Sequence, residues 1–174
     1  MVSNPGVGVD IGTTCSSIAI TPDLSTPGEL LQDKDSKHHI PSYVYYDEHG
    51  NALVGEIAVD QDPLSTIYDN KRFLGQHYEQ IKDHIGNYPF KIIKDPKSDF
   101  VLYELVSNGK THHKSPLEVA TDQISHYRDI IKDRIEYNDQ MGITATHPAY
   151  FDSKQKYFTY QAGMLLSLFL FYLR

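Results

Sequence analysis

Near its start the sequence sets an acid, a glycine and two hydroxyls in a bend between two apolar runs: Val7-Gly8-Val9-Asp10-Ile11-Gly12-Thr13-Thr14-Cys15-Ser16-Ser17-Ile18-Ala19-Ile20. These are the residue types of a phosphate-binding hairpin. Gly12 tolerates backbone angles that turn amide groups toward an anion, and Thr13 and Thr14 add hydroxyl donors. The Asp10 carboxylate can hold a hydrated magnesium ion against a polyphosphate. A nucleotide is therefore the first ligand class to consider. The same residues also make an ordinary structural bend, because Gly, Thr and Asp favour turns whatever their function.

Other reactive side chains offer less. Cys15 is the one cysteine; no histidine or second cysteine is expected beside it, so it reads as a small hydrophobe filling core space. The pairs His38-His39 and His112-His113 are adjacent in sequence, which on a strand sends the two rings to opposite faces and builds no metal site. They are expected as solvated loop residues. A single cysteine also excludes a disulfide framework and suits a reducing compartment.

The elements that must position the hairpin follow from pattern. At 174 residues, 40% hydrophobic and 22% charged, the chain has material for one domain with a core and a solvated face. The net charge of -7 argues against a nucleic-acid backbone as main partner. The opening Met1-Val2-Ser3-Asn4-Pro5 lacks a basic segment followed by a long apolar core, so no secretory signal is expected and a cytoplasmic location is.

After the hairpin, a third strand is predicted near Glu29 to Leu31 and another over Ser42 to Tyr46, with short helices at Glu56 to Gln61 and Asn70 to Leu74. Two strands, Phe90 to Ile93 and Phe100 to Val106, flank the turn Asp95-Pro96-Lys97-Ser98-Asp99. Ser115-Pro116-Leu117-Glu118 is a capping box with proline at the first helical position, so a helix starts there. Leu117, Ala120, Ile124, Tyr127, Ile131 and Ile135 recur at helical spacing and form its buried stripe. Asp122, Arg128, Asp129, Lys132 and Asp133 lie off that stripe and are assigned to a solvated face. The run Met164 to Leu173 is almost wholly apolar and too short to span a bilayer, which takes about 20 residues as a helix. A buried inner strand is its first reading, ahead of a helix extension or a divergent tail. Left uncovered, it would be a surface for self-association.

Five ordered blocks resemble the seventy-kilodalton heat-shock chaperones, in their nucleotide-binding domain. The hairpin is followed by Ile40-Pro41-Ser42-Tyr43-Val44, by Val54-Gly55-Glu56-Ile57-Ala58 with Gln61, and by Thr66-Ile67-Tyr68-Asp69-Asn70-Lys71-Arg72-Phe73-Leu74-Gly75. Ser115-Pro116-Leu117-Glu118-Val119 comes next, then Pro148-Ala149-Tyr150-Phe151 with Gln155, Thr159, Ala162 and Gly163. The resemblance runs from about Gly6 to Gly163 and weakens beyond.

What the resemblance implies is an α/β fold, an actin-like (ribonuclease H-like) ATPase lobe with a mixed sheet and a small α+β subdomain inserted at about residues 40–114. The whole chain is then expected to be the first lobe of that domain, since a second phosphate hairpin, an adenosine-binding segment and a glutamate-containing catalytic segment do not occur in these residues. Implied ligands are ATP or ADP with Mg2+. Asp10 would act on the metal through water, Gly12, Thr13 and Thr14 on phosphate, and Lys71 on the terminal phosphate and attacking water.

Pro148 and Lys156 would belong to the coupling of nucleotide to interlobe movement. His147 stands there where the family has an apolar residue, and Lys156 where it has arginine, which would lose a bidentate fork of donors. Implied partners are cochaperones or unfolded-protein machinery, with neither nucleic acid nor membrane. Whether the chain hydrolyses ATP by itself stays open. A noncatalytic interaction module is one alternative; a truncated sugar-kinase or actin relative is another, disfavoured by the Lys71 and Pro148 blocks.

Overall fold

The computed structural model describes residues 6–22, 26–32, 36–135, 142–149, 151–164 and 169–173. Strand β1 (Gly6–Asp10) turns into β2 (Cys15–Thr21), antiparallel, with Val9 opposite Ile18. The alternation along β1 sends Val7 and Val9 inward, as a half-buried strand requires. Short strands β3 (Glu29–Leu30) and β4 (Ile40–Pro41) both pair with β2.

There follow β5 (Val44–Tyr46), β6 (Ala52–Val54), α1 (Glu56–Val59) and β7 (Thr66–Ile67), the three strands forming one sheet in the order β6-β5-β7. A 3-10 turn at Asn70–Arg72, α2 (Tyr78–Ile81) and a second 3-10 segment at Lys82–Asn87 lead to another sheet, β8 (Lys91–Lys94), β9 (Val101–Ser107) and β10 (Lys110–Lys114), ordered β10-β9-β8. The long helix α3 (Pro116–Lys132), strand β11 (Gly142–Thr146), helix α4 (Ser153–Met164) and strand β12 (Phe169–Leu173) complete the elements. β11 runs parallel to β1 and β12 parallel to β11, so the first sheet is mixed, in the order β12-β11-β1-β2-β3.

Apolar side chains gather in two clusters. One joins the mixed sheet to α3 and α4 through Val9, Ile18, Ile124, Ile131, Ala145 and Ala162. The other fills the region of the two three-stranded sheets with Val44, Tyr46, Ile67, Phe73, Phe90, Tyr103 and Leu105. Aromatic rings pack edge-on there: Phe73 and Tyr103 centroids lie 6.0 Å apart, Phe90 and Tyr103 5.6 Å, the arrangement the ring quadrupole favours. α3 serves both clusters, since Val119 faces the second and Ala120 and Ile124 the first.

Several expectations need correction. Cys15 is exposed and fills no core space; the register that buries Ser16 and Ile18 turns Cys15 outward. His112 and His113 stand on β10, not in a loop. Nε2 of His112 lies 3.1 Å from the Glu48 carbonyl oxygen, and Nε2 of His113 3.4 Å from a Glu104 carboxylate oxygen. Asp122 is no simple solvated charge, because it accepts the hydroxyl of buried Tyr46 at 2.6 Å. The apolar tail divides: Met164 ends α4 and is exposed, while Phe169–Leu173 form a strand that, among the described residues, stands at the edge of the sheet and is not an inner one. Residues 165–168 of that run lie outside the described residues.

Candidate functional site

The parallel pairing of β1 with β11 places Val9 beside Ala145, so the next residues, Asp10 and Thr146, emerge together at the carboxyl ends of neighbouring strands. Thr146 Oγ1 donates to Asp10 Oδ1. Open α/β sheets hold their ligands at such strand ends. The Asp10 carboxylate is exposed there, reachable by a hydrated cation.

Lys71 is delivered to the same place from a different element. It sits in the 3-10 turn after Asp69, whose backbone is left-handed at φ 57°. Its neighbour Asn70 is almost fully buried and locks the turn: Nδ2 donates to the Pro116 carbonyl at 3.0 Å and Oδ1 accepts the Tyr103 hydroxyl at 2.8 Å. With the turn held on both sides, the Lys71 ammonium donates to the Ile11 carbonyl and stands 5.4 Å from the centroid of the Phe151 ring. Burial lowers the pKa of Lys71 from its ordinary value, and the nearby Asp10 charge opposes that shift.

A cavity of about 450 Å³ opens beside this group, lined by Thr13, Lys71, Phe73, Tyr88, Phe151 and Gln155 among others. Thr13 also borders a gap of about 20 Å³ with Gly12, Ser42 and Lys71. Thr14 is exposed and lines neither space; its carbonyl accepts the Ser42 amide at 2.8 Å. The Gly12 amide donates to Ser16 Oγ at 3.2 Å, and its carbonyl accepts from Ser42 Oγ at 3.0 Å. In this structure the backbone of Gly12 is thus engaged by the protein itself.

Pro148 follows β11, and its carbonyl accepts the Phe151 amide at 3.1 Å, a turn that brings Phe151 against Lys71. The His147 ring lies parallel to that of Phe151, 6.4 Å between centroids. Asp152 accepts the Gln155 amide at 2.8 Å and donates its own amide to Gln155 Oε1 at 3.3 Å, a reciprocal cap for α4. Lys156, one residue on, is half-buried and does not line the cavity beside Lys71.

Thr13 and Lys71 therefore share a cavity, Asp10 acts on Lys71 through its charge, and Gly12 and Thr14 lie in the same bend as Thr13. Asn70, Thr146 and Phe151 were not assigned site roles from sequence. The Asp152-x-x-Gln155 spacing was a readable cap signal, whereas Asn70 and Thr146 act through partners distant in the chain. A wider depression, about 900 Å³ between β6, α1 and α3, contains none of these residues. Among the described residues no three His, Cys, Asp or Glu side chains come together as a metal cage.

The family model described as Hsp70 protein matches residues 6–170. The chain belongs to the Hsp70 family. A chaperone protein HscA homolog of Herminiimonas arsenicoxydans is 34% identical over 165 residues, covering 93% of this chain and 25% of the relative. A chaperone protein dnaK of Cyanidium caldarium is 30% identical over 167 residues, covering 93% and 26%. A heat shock protein homolog of Encephalitozoon cuniculi is 28% identical over 180 residues, covering 91% and 26%. The chain thus spans about a quarter of the length of the curated relatives it matches. Membership in the Hsp70 family carries the actin-like ATPase fold class, with which the mixed sheet and its packed helices agree. No helix among the described residues is long and apolar enough to cross a membrane.

Proposed function

We propose that this chain forms one wall of a magnesium-nucleotide site within an Hsp70-family chaperone ATPase domain. The observation that carries the reading is that Lys71 and Thr13 line one cavity with Asp10 near enough for its charge to act on Lys71, although Lys71 lies 60 residues from the Ile11 carbonyl it meets. Residues 40–114, with their two small sheets, serve as the inserted subdomain that delivers Lys71.

The residues suit the ligand. An exposed carboxylate beside a hydroxyl accepts a hydrated Mg2+, which when bound neutralises charge on phosphate oxygens. Thr13 and Thr14 offer hydroxyls to phosphate, and Lys71 offers a positive charge where a terminal phosphate would end. Phosphoryl transfer depends mainly on positioning and on stabilising charge spread over oxygens, which is the service a half-buried ammonium fixed by a carbonyl can give. Pro148, through the turn that places Phe151 against Lys71, is positioned to pass movement from this site into α4, and Lys156 lies further along that helix. Cochaperones and unfolded polypeptide are the partners this reading implies.

These residues supply contacts from one side, and a well-formed site covers most of its ligand. The purified 174-residue chain should bind Mg-ATP no tighter than roughly the high micromolar range, about -4 to -5.5 kcal/mol, with turnover near background. Isothermal calorimetry with and without magnesium, beside a phosphate-release assay, tests this. Binding should weaken in Asp10→Asn, Thr13→Ala and Lys71→Ala. Magnesium-independent binding, or binding untouched by all three substitutions, would overturn the site assignment. Tight binding with Lys71-dependent turnover would overturn the one-wall argument and make the chain an ATPase in its own right.

A further inference from the structure

The turn of the hairpin is held from below by a closed set of buried hydroxyls. Ser16 is fully buried, and Ser42 and Tyr127 nearly so. The Tyr127 hydroxyl donates to Ser16 Oγ at 2.9 Å, Ser16 Oγ and Ser42 Oγ lie 3.2 Å apart, Ser42 Oγ donates to the Gly12 carbonyl at 3.0 Å, and the Gly12 amide donates to Ser16 Oγ at 3.2 Å.

The direction of every bond follows from counting protons. A serine hydroxyl has one hydrogen and two lone pairs. Ser42 spends its hydrogen on the Gly12 carbonyl, so between the two serines Ser16 must donate. The hydrogen of Ser16 is then used, both its lone pairs accept, one from Gly12 and one from Tyr127, and tyrosine is left only the donor role. Each group is satisfied, and the peptide units on both sides of Gly12 are gripped. Pairing of Cys15 and Ser16 with Pro41 and Ile40, and of the Ser42 amide with the Thr14 carbonyl, keeps β4 and Ser42 against the turn.

The geometry points to Tyr127 as a positioning residue for the phosphate hairpin, acting from α3 through Ser16 and Ser42 on Gly12. This rests on the reading of the hairpin as a phosphate site. The consequence is a turn shaped before any ligand arrives, with the orientation of Thr13 and Thr14 tied to the seating of α3. Loss of the tyrosine hydroxyl alone removes a donor from buried Ser16 and frees Ser16 and Ser42 to reverse their donor order, which releases Gly12.

The test compares the purified 174-residue chain with Tyr127→Phe, Ser42→Ala and Tyr46→Phe. Tyr46 is the control, a fully buried tyrosine whose hydroxyl donates to Asp122 and has no place in the hairpin set. Calorimetric titration with Mg-ATP should show about a threefold to tenfold weaker affinity in Tyr127→Phe and in Ser42→Ala, with Tyr46→Phe matching the parent chain. Amide hydrogen exchange at Gly12, measured without ligand, should accelerate in the first two variants and not in the third. Should Tyr127→Phe fail to fold, Ser42→Ala reads the same set.

Parent-like affinity in both hairpin variants would overturn the positioning role and leave the nucleotide reading standing. An equal loss in Tyr46→Phe would overturn it too, by showing a general softening. A parent chain that does not bind Mg-ATP at all overturns the nucleotide reading instead. Gly12 exchange then decides the positioning role alone, which falls if exchange is unchanged.

Discussion

A Cβ built on Gly12 would meet the carbonyl oxygen of Cys15 at 1.8 Å, whereas one built on Gly8 would meet nothing within 4 Å. The contact at Gly12 is with backbone of its own turn, so no side chain can swing aside to relieve it, and the turn must open. Gly8 lies in the regular part of β1, where a methyl group reduces the freedom of the unfolded chain at no steric cost. Gly12→Ala should therefore destabilise the fold by about 2 to 3 kcal/mol, while Gly8→Ala should stay within about 1 kcal/mol of the parent. Urea unfolding of the two variants checks this, and equal midpoints would refute the close-approach argument. Of the other candidate residues, Asp10 and Thr13 were singled out from their place in the bend alone. Asn70 could not be, because its role rests on the Pro116 carbonyl and the Tyr103 hydroxyl, neither of which lies near it in sequence.

The helix α3 was the most legible element, since its signals are local. Ser115 Oγ accepts the Glu118 amide at 3.2 Å, and a Glu118 carboxylate oxygen accepts the Ser115 amide at 2.7 Å, the capping box read from four consecutive residues. Ser115→Ala removes the first of these bonds and should cost about 1 kcal/mol, with a shift in the denaturant midpoint and no change in slope. No shift would mean that tertiary packing alone fixes the start of this helix. The stripe read from α3 also held, Ala120, Ile124, Tyr127 and Ile131 all being buried. Its width was underestimated: Val119, Gln123 and Ile130 are buried as well, because α3 touches two apolar clusters and a single stripe describes a helix packed on one. β10 was missed for a related reason, since Lys110–Lys114 carries no apolar alternation and is a strand through its pairing with β9.

At the scale of the molecule, burial of tyrosine sets a limit on the alkaline side. Of 13 tyrosines, burial raises the pKa of Tyr46, Tyr103 and Tyr127, and of the less buried Tyr68. Tyr88 is pushed up to about 12, by burial first and then by Asp69. A phenol that keeps its proton in the fold but ionises near 10 when unfolded favours the unfolded chain as pH rises. The stability these groups support is fully present below the unfolded value and is lost as pH climbs through the folded ones. The melting temperature should accordingly hold up to about pH 10 and fall steeply between about pH 10 and pH 12, and several phenols should ionise only as the chain unfolds. Ultraviolet titration alongside thermal melting measures both. A flat melting temperature over that range, with all phenols titrating together, would refute it.

By itself the sequence determined what depends on neighbours along the chain: the bend with its acid, glycine and hydroxyls, the capped helix, and the family, legible as ordered blocks. Such signals survive in a short window because turns, caps and apolar periodicity are satisfied within a few residues. Tertiary structure decided which of those residues meet. Thr146 reaches Asp10 across 136 residues, Tyr127 reaches Ser16 across 111, and Lys71 reaches Ile11 across 60. It also turned Cys15 outward and drew Asp122 to Tyr46. Strand register turns Cys15 and the parallel pairing of β1 with β11 joins Thr146 to Asp10, whereas the seating of α3 and of the 3-10 turn brings in Tyr127, Asp122 and Lys71; a polar side chain's role in such a place depends on a partner that no local pattern specifies.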